Sequence, residues 1–349
     1  MVAEILAANA ALWGRYPPAD GTPEFRAAVV GWLTRRFGLS DGFLDPARHI
    51  LPVAGTREAL YMIASLTVAP SKGDKPVVLL PNPFYQVYAG AALMAGAEPV
   101  YVPGFGDPTA QPDYSTLAPE ILARTRLAYL CSPANPQGSV ASLDLLVRTL
   151  ELARTYDFTL AVDECYSEIW DKAKPAGALE AAQKLGAGPG NLMVFHSLSK
   201  RSSVPGLRSG FVAGDPELIK GFARLRSYGG AATPMPVLAA ATALWSDEDH
   251  VTQSRDLYRQ KMDMAQSLLG HLPGFRRPQG GFFLWLGVED GEKAALDLWQ
   301  GAKIRVLPGA YLAKPGPGGV NPGQDKIRVA LVHDLETTRR ALEAMANIL

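Results

Sequence analysis

Hydrophobic positions along the chain fall into two alternating patterns. Short apolar or β-branched runs, typical of buried strands, alternate with longer segments whose apolar residues recur at helical spacing. The strand-like runs are HILPVAG at 49–55, PVVLLPNP at 76–83, LAYLCSP at 127–133, FTLAVDE at 158–164 and LMVFHSLS at 192–199. Because strands that alternate with helices build mostly parallel sheets covered by helices, the pattern predicts an α/β fold.

The segment SLDLLVRTLELARTY illustrates the helical pattern. Ser142 is expected to be its N-cap, and Asp144 lies in the first turn, where a carboxylate is favourable. The opening residues MVAEILAANAALW also predict a helix. In SLDLLVRTLELARTY, the residues expected on the buried face of the helix are Leu145, Leu146, Thr149, Leu152, Ala153 and Tyr156.

The pattern changes near residue 246. The segment SDEDHVTQSRDLYRQKMDMAQSLLGHLPG predicts one long helix, and the strand-like runs GGFFLWLGV, KIRVLPGAYL and KIRVALVHD follow it. We therefore expect a large domain at 1–245 and a smaller α+β domain at 246–349.

Charge and composition narrow the classes of partner. The 349 residues include 34 Lys plus Arg and 34 Asp plus Glu, a balance that argues against nucleic acid or an anionic membrane as the ligand. Two cysteines, Cys131 and Cys165, fit a reducing compartment, and no apolar run approaches the roughly 20 residues that span a bilayer. The first residues lack the features of a secretory signal. We expect a cytoplasmic protein that binds small molecules and has no metal site.

The stretch SLSKRSSVPGLRSG contains the strongest candidate chemistry. Most lysines are solvated surface charges. The run before Lys200, however, alternates like a strand, so that Phe195, Ser197 and Ser199 share one face and lead into the lysine. With Arg208 eight residues later, two hydroxyls and two cations are expected at the end of a strand. This combination suits a phosphate dianion and a reactive amine.

A second anion-binding element is GTREAL, at 55–60, which follows a strand and opens a helix. The backbone amides of Gly55, Thr56 and Arg57 are expected to point at an anion, with the helix dipole behind them. A glycine turn before a helix is often only a connection. The hydroxyls of Ser197 and Ser199 and the side chain of Arg208 favour the anion-binding interpretation.

Asp163 ends the apolar strand FTLAV. A partly desolvated carboxylate needs a cationic or hydrogen-bonding partner, so Asp163 either caps a helix or serves as the counter-ion of a protonated heterocycle. Glu164 is expected to point the other way. Tyr166, one step into the following turn, is placed to donate its hydroxyl to the same ligand.

Two further loops follow strands. Asn135 lies in SPANPQG, and although most Asn-Pro pairs only form turns, this one is expected to face Asp163 across the end of the sheet. In PNPFYQVY, Tyr85 offers a flat surface that can stack on a ring, whereas the neighbouring Phe84 is expected in the core.

These features together are typical of a pyridoxal phosphate site. They are a set of phosphate-binding groups, a lysine, an acid for a ring nitrogen, a hydroxyl donor and a stacking aromatic side chain. The chain resembles the class I/II aminotransferases over nearly its whole length, most specifically in SLSK and the arginine eight residues later. The resemblance implies fold type I of the pyridoxal phosphate enzymes, with a mostly parallel central sheet between helices and a smaller C-terminal α+β domain. Within the family, PPADGTPEFR, PNPFYQVY, GGFFLW, VLPGAYLA and GVNPGQDKIRVAL resemble the succinyldiaminopimelate aminotransferase branch.

The resemblance also implies roles for the cofactor-binding residues. It makes Lys200 the lysine that binds the cofactor aldehyde and Asp163 the partner of the pyridine nitrogen. Asn135 and Tyr166 would hold the phenolic oxygen of the ring, and Tyr85 would stack on it. The residues implied in binding the phosphate are Ser197, Arg208, Gly55, Thr56 and Arg57, with Ser199 assisting.

Two residues are implied in binding substrate and partner. Arg328, in KIRVAL, matches the arginine that grips the substrate α-carboxylate, a task that suits a bidentate guanidinium. The alternative is that Arg328 is a solvated charge on an edge strand. Tyr16, in RYPPADG, matches a tyrosine that reaches the phosphate of the neighbouring subunit, so the resemblance implies a homodimer with shared active sites.

The chain departs from the family pattern in two places. Ser132 and Gln137 stand where the family loop NPxNPTG often has its first Asn and its Thr, while Asn135 is retained. The family also normally carries an N-terminal arm and a first small-domain strand, whereas this sequence starts inside the following helix. This departure puts substrate affinity and dimer stability in question.

The function implied is transfer of an amino group between an amino acid and a 2-oxo acid. The branch resemblance implies N-succinyldiaminopimelate and 2-oxoglutarate as the pair, in lysine biosynthesis. Arg328 would leave the Cα–H bond free to break and so disfavours decarboxylation. The alternatives are a broader-specificity aminotransferase, a C–S β-lyase on the same fold, and, more remotely, a non-catalytic module that binds an aldehyde cofactor.

Overall fold

The computed structural model describes residues 1–68, 74–104, 106–107, 109–316 and 318–349. Within these ranges the strands are β1 (Ile50–Val53), β2 (Val77–Asn82), β3 (Glu98–Pro103), β4 (Thr125–Cys131), β5 (Thr159–Asp163), β6 (Leu192–Ser197), β7 (Gly210–Gly214), β8 (Phe283–Gly287), β9 (Leu307–Pro308) and β10 (Lys326–Ala330).

Helices connect and cover these strands. In the described ranges the α-helices are α1 (Val2–Ala8), α2 (Pro23–Phe37), α3 (Pro46–His49), α4 (Thr56–Thr67), α5 (Gln86–Met94), α6 (Pro119–Arg124), α7 (Leu143–Thr155), α8 (Ala178–Lys184), α9 (Leu198–Arg201), α10 (Pro216–Gly229), α11 (Met235–Ser246), α12 (Asp249–Leu269), α13 (Gly291–Ala302) and α14 (Leu335–Ile348). Short 3₁₀ helices occupy Ala10–Gly14, Tyr114–Thr116, Pro205–Leu207 and Gly309–Leu312.

The larger sheet has seven strands in the order β1-β7-β6-β5-β4-β2-β3. Neighbours from β6 to β3 are parallel, and β7 is antiparallel to both of its neighbours. This arrangement confirms the predicted α/β fold with a mostly parallel sheet. Because parallel strands end at the same edge, the loops after β2, β4, β5 and β6 meet there.

The core lies on both faces of this sheet. Strands β2, β5 and β6 are buried along their full length, as expected for apolar runs covered by helices on both sides. One face packs against α2, α7, α8 and α11, and the other against α4, α5 and α10. The sheet is therefore sandwiched between helices, as predicted.

Most of the predicted elements are found. The five strand-like runs correspond to β1, β2, β4, β5 and β6, and the long segment after residue 246 contains α12. The Ser142 hydroxyl accepts a hydrogen bond from the Leu145 amide at 3.2 Å, which confirms the N-cap of α7. The expected strand through Ser199 is wrong, because β6 ends at Ser197 and the chain turns into α9.

A second, three-stranded antiparallel sheet has the order β8-β10-β9. It packs with α12, α13 and α14 around a core of its own. This is the α+β pattern expected after residue 246, while the boundary at 245/246 stays a prediction. Since β10 is the central strand, the alternative that Arg328 lies on an edge strand is wrong. In the described ranges, the helices are all too short or too polar to cross a membrane.

Gly138 fixes the loop after β4 against the segment that leads into β8. Its φ is +72°, and a Cβ there would overlap Pro278 Cβ and the Gly280 carbonyl oxygen. The Gly280 amide in turn donates to the Gly138 carbonyl at 3.0 Å. The close approach of these two backbones thus positions the loop that carries Asn135.

We predict that Gly138→Ala destabilises the protein more than Gly186→Ala. Gly186 has nearly the same φ, +71°, and nothing within 4 Å of its Cβ position, so it carries only the backbone strain. We expect the control to lose about 1 kcal/mol of unfolding free energy and Gly138→Ala roughly 2 kcal/mol more, since it adds a steric overlap. Urea denaturation measures both, and equal losses would contradict this account of the loop.

Candidate active site

A cavity of about 470 Å³ opens at the carboxyl edge of the larger sheet. It brings together nearly all the residues singled out in the sequence, which come from α4, α9 and β10, from the last residues of β5 and β6, and from the segments after β2, β4 and β5 and before β7. The candidates that line it are Thr56, Arg57, Tyr85, Asn135, Asp163, Tyr166, Ser197, Ser199, Lys200, Arg208 and Arg328, and the lining that sequence reasoning missed is Cys165, Pro205 and Phe283.

Lys200 lies on the one-turn helix α9, with its Nζ 4.9 Å from the ring centre of Phe282 and 5.8 Å from that of Tyr166. Burial lowers the pKa of this lysine; Cys165 and Asp163 act against this effect, and the nearby cations Arg328 and Arg57 act with it. A lowered pKa increases the fraction of neutral amine, which is the nucleophilic and basic form.

Ser197 explains why the strand stops before the lysine. Its hydroxyl accepts a hydrogen bond from the Ser199 amide at 3.1 Å, so Ser197 serves as the N-cap of α9. This cap orients the first turn of the helix, including Ser199 and Lys200, toward the cavity.

Arg208 links the segment after α9 to the turn before α4. Its backbone is left-handed, with φ 53°, and its guanidinium donates to the carbonyls of Pro205 at 2.9 Å and Ala54 at 3.0 Å. The cation is thereby held against the turn that opens α4, which lies next to it in the cavity wall.

Gly55 forms that turn, with φ +87°, and a Cβ at this position would overlap the Arg208 guanidinium. The expectation that its amide faces an anion is wrong, because the Gly55 N–H donates to the Val53 carbonyl at 2.8 Å. The amides of Thr56 and Arg57 lie in the first turn of α4, where N–H groups have no intrahelical partner. Gly55 therefore makes room for the arginine.

Asp163 is buried at the end of β5. Its Oδ2 accepts a hydrogen bond from the Tyr88 hydroxyl at 2.8 Å, and its Oδ1 accepts one from the Cys165 amide at 3.2 Å. Burial raises the pKa of the carboxyl, while hydrogen bonding by the Cys165 side chain, the Tyr88 hydroxyl and the Cys165 amide acts in the opposite direction. Asp163 is therefore held by donors and does not cap a helix.

Glu164 points to the opposite face of β5, as predicted. Its Oε1 accepts a hydrogen bond from the Ala178 amide at 2.7 Å, and its Oε2 lies 2.9 Å from His196 Nε2. The two neighbouring carboxylates thus serve different sides of the sheet.

Tyrosines and Asn135 form the remaining wall. The Tyr85 hydroxyl accepts a hydrogen bond from Arg57 Nε at 2.7 Å, and the Asn135 Oδ1 accepts one from Arg328 Nη1 at 2.9 Å. Tyr166 is buried, and burial raises its pKa, so its hydroxyl stays protonated and able to donate.

Arg328 reaches the cavity from the second sheet. Its guanidinium lies 4.4 Å from the ring centre of Phe283, and burial lowers its pKa. A half-buried arginine with one known acceptor keeps other N–H groups for an anionic ligand. Tyr16, by contrast, is fully exposed and lies outside this cavity.

The cavity lining combines a cationic cluster, a carboxylate and one amine, that of Lys200. The cluster comprises Arg208, the serine hydroxyls and the start of α4, which suits a phosphate. The Asp163 carboxylate suits a protonated nitrogen. In the part of the chain that the structure describes, no group of three or more His, Cys, Asp or Glu side chains is arranged to hold a metal ion.

Comparisons with known proteins agree with this chemistry. The family model described as Aminotransferase class I and II matches residues 1–345. The LL-diaminopimelate aminotransferase of Desulforudis audaxviator is 32% identical over 338 residues, which cover 96% of this chain and 81% of that enzyme. The 4-dedimethylamino-4-oxo-anhydrotetracycline transaminase of Streptomyces rimosus is 34% identical over 304 residues, 86% of this chain and 79% of that enzyme. The crystal structure of an aminotransferase from Neisseria meningitidis matches with a TM-score of 0.92 and 43% identity, over 99% of this chain and 87% of that one.

We predict that Lys200 reacts with acetic anhydride at lower pH than Lys293 does. Burial lowers the pKa of Lys200, whereas the hydrogen bond and charge of Asp297 raise the pKa of the exposed Lys293. The neutral fraction of Lys200 should therefore appear first as the pH rises. Peptide mass spectrometry after brief labelling follows both residues in one sample, and coincident or reversed profiles would contradict the prediction.

Proposed function

The chain belongs to the class I and II aminotransferases, and from this membership we propose that the cavity around Lys200 binds pyridoxal 5′-phosphate for transfer of an amino group between an amino acid and a 2-oxo acid. The observation that supports this most directly is that Lys200 lines one cavity together with Arg208, the Ser197 and Ser199 hydroxyls and the buried carboxylate of Asp163. Gly55 supports the fit, because only a residue without a side chain leaves room there for Arg208.

When bound, pyridoxal phosphate supplies a ring that accepts the electron pair left when the amino acid loses its α-proton. Asp163 favours a protonated ring nitrogen, since its buried carboxylate is a charge partner for that N–H. Lys200 Nζ, with its lowered pKa, is the base that takes the α-proton and returns it. Arg328 binds the α-carboxylate and orients the amino acid so that the Cα–H bond faces the lysine.

The other lining residues hold the cofactor in place. Thr56, Ser197 and Arg208 bind its phosphate, with the Arg57 amide and Ser199 assisting. Asn135 and Tyr166 donate to its phenolic oxygen, and Tyr85 stacks on its ring. The buried, protonated hydroxyl of Tyr166 supports this role.

The full exposure of Tyr16 supports a further part of the proposal, that two chains form a homodimer. A tyrosine that contributes to a partner's phosphate site must project away from its own chain. The half-exposed Trp13, three residues earlier in the sequence, is a second large apolar side chain open to solvent.

Amino-group transfer is favoured over the alternatives from the sequence. The relatives described above are named as aminotransferases or a transaminase, which supports transfer over β-elimination or a non-catalytic role. Their substrates differ, so the substrate must be argued from the cavity.

We propose that the substrate has the 2,6-diaminopimelate skeleton with its distal amino group succinylated. Four cationic side chains line the cavity, namely Arg57, Lys200, Arg208 and Arg328, against one carboxylate, Asp163. If Arg208 serves the cofactor phosphate and Arg328 the α-carboxylate, Arg57 remains for a distal anion. Succinylation replaces a distal ammonium with a neutral amide and adds a carboxylate, which suits this charge balance better than free LL-diaminopimelate.

Arg57 is the candidate for that distal contact. Its Nε is held by the Tyr85 hydroxyl at 2.7 Å, so the rest of the guanidinium is directed rather than freely rotating. The side chain is exposed, and its other N–H groups can reach an anion that extends out of the cavity.

We predict that Lys200→Ala abolishes conversion of glutamate to 2-oxoglutarate, with a loss of at least a thousandfold, because no other described amine lies in the cavity. Near-ultraviolet circular dichroism and the thermal midpoint should stay close to those of the parent. Lys293→Ala, which removes an exposed lysine, is the control and should keep full activity. Retention of normal transamination by Lys200→Ala would refute the mechanism.

We predict that glutamate with N-succinyl-2-amino-6-oxopimelate is the best substrate pair, giving N-succinyldiaminopimelate and 2-oxoglutarate. The comparison measures kcat/KM for N-succinyldiaminopimelate, LL-diaminopimelate, aspartate, alanine and aromatic donors with 2-oxoglutarate as acceptor. Any donor that exceeds the succinylated one by tenfold, about 1.4 kcal/mol of transition-state preference, would overturn the assignment. A tenfold advantage of LL-diaminopimelate would show in addition that the cavity tolerates a distal ammonium.

A further inference from the structure

Tyr88 is buried next to Asp163. It does not line the cavity, and its ring has no exposed surface. Its hydroxyl nevertheless donates to Asp163 Oδ2 at 2.8 Å, the shortest hydrogen bond that this carboxylate accepts in the described ranges. A buried phenol that donates to a buried carboxylate favours the ionised form of that carboxylate.

The position of the Tyr88 ring is tightly constrained. It stacks on Tyr129 with ring centres 4.5 Å apart and an interplanar angle of 10°, and it meets Tyr85 edge to face at 5.6 Å. Tyr85 is the N-cap residue of α5, and Tyr88 lies three residues later in its first turn. The start of one helix therefore positions both the tyrosine proposed to stack on the ring and the donor to Asp163.

The Asp163 carboxylate retains acceptor capacity after these contacts. Tyr88 uses one lone pair of Oδ2 and the Cys165 amide one of Oδ1, whereas a carboxylate has about four acceptor sites. The remaining sites are available to a ligand on the cavity side. The tyrosine thus fixes the orientation of the carboxylate without blocking it.

We infer that Tyr88 is a positioning residue that keeps Asp163 ionised and oriented toward the ring nitrogen of the cofactor. This inference rests on the proposed function of Asp163. Tyr88 touches neither substrate nor cofactor, and it acts only through the carboxylate.

Other titratable groups surround Asp163 on the neighbouring elements, and of these the Cys165 side chain also favours the ionised carboxylate. Burial raises the pKa of the surrounding thiols and phenols, so they stay neutral near pH 7. Charge on His196 would lower the pKa of Asp163, but His196 donates no hydrogen bond to it in the described structure. The groups that act on Asp163 by charge or hydrogen bonding are Tyr88 on α5, Tyr85 just before it, Cys131 on β4, Cys165 and Tyr166 after β5, His196 on β6 and Lys200 on α9.

The test compares Tyr88→Phe with Tyr129→Phe. Both tyrosines are fully buried and stacked on each other, but the Tyr129 hydroxyl donates to the Leu60 carbonyl at 2.6 Å and does not contact Asp163. Each variant loses one buried hydroxyl. A general loss of packing or stability would appear in both, whereas an effect on the carboxylate should appear only in Tyr88→Phe.

The first measurement uses the protein without cofactor. Infrared spectroscopy follows the carbonyl stretch of protonated Asp163 as the pH is lowered, and Asp163→Asn identifies the band. Removing the donor should raise the pKa of Asp163, so the band should appear at higher pH in Tyr88→Phe and be unchanged in Tyr129→Phe. An unchanged band in Tyr88→Phe would overturn the inference, whatever the reaction of the enzyme.

The second measurement uses the protein with bound pyridoxal 5′-phosphate. In Tyr88→Phe, the acid limb of the kcat/KM profile should move to higher pH, and the Kd for pyridoxal 5′-phosphate should rise by about threefold to tenfold. A band that moves while the acid limb and the Kd stay fixed would refute the positioning role. Asp163→Asn tests the premise separately, because unchanged turnover in that variant would refute the proposed function of Asp163 itself.

A variant that fails to fold does not end the test. Replacing all tyrosines with 3-fluorotyrosine makes the phenol a stronger donor and retains its shape. The Asp163 band of the cofactor-free protein should then move to lower pH. No movement, or movement to higher pH, would overturn the inference.

Discussion

The burial of the Asp163 carboxylate is the constraint on which the rest of the site depends. A charge at the end of a fully buried strand is costly unless donors surround it, and Tyr88 and the Cys165 amide supply them. This requirement fixes the start of α5 and the loop after β5. Tyr85, Tyr88 and Tyr166 are therefore placed by the same need that places the acid.

The part of the cavity around Arg208 is organised differently. There the charge belongs to Arg208, which is tied by hydrogen bonds to the carbonyls of Pro205 and Ala54. Gly55 contributes by its lack of a side chain, and Ser197 contributes by ending β6 and starting α9. Backbone geometry thus positions the groups around Arg208, whereas side-chain hydrogen bonds position the Asp163 carboxylate.

Sequence patterns predicted the strands of the sheet interior and most of the cavity lining, because buried parallel strands are apolar throughout and their polar ends stand out. They missed β3 and β7. The first is a half-buried edge strand with two prolines, and the second is a five-residue run bounded by glycines. They also missed Tyr88, although its spacing of three residues from Tyr85 indicated a shared helical face. The hydrogen bond of the Gly55 amide to Val53 depends on a local φ that composition alone does not reveal.

The hydrogen bond between Arg328 and Asn135 joins the two sheets, since β10 belongs to the smaller one and Asn135 follows β4 of the larger one. A carboxylate bound by the other N–H groups of this guanidinium holds the same side chain that makes this bond, whose net worth is about 0.5–1.5 kcal/mol. Ligand affinity and the relative orientation of the sheets are therefore thermodynamically linked. By reciprocity, any change that alters how the smaller sheet rests on the larger one also alters the affinity for carboxylates, even at positions remote from the cavity.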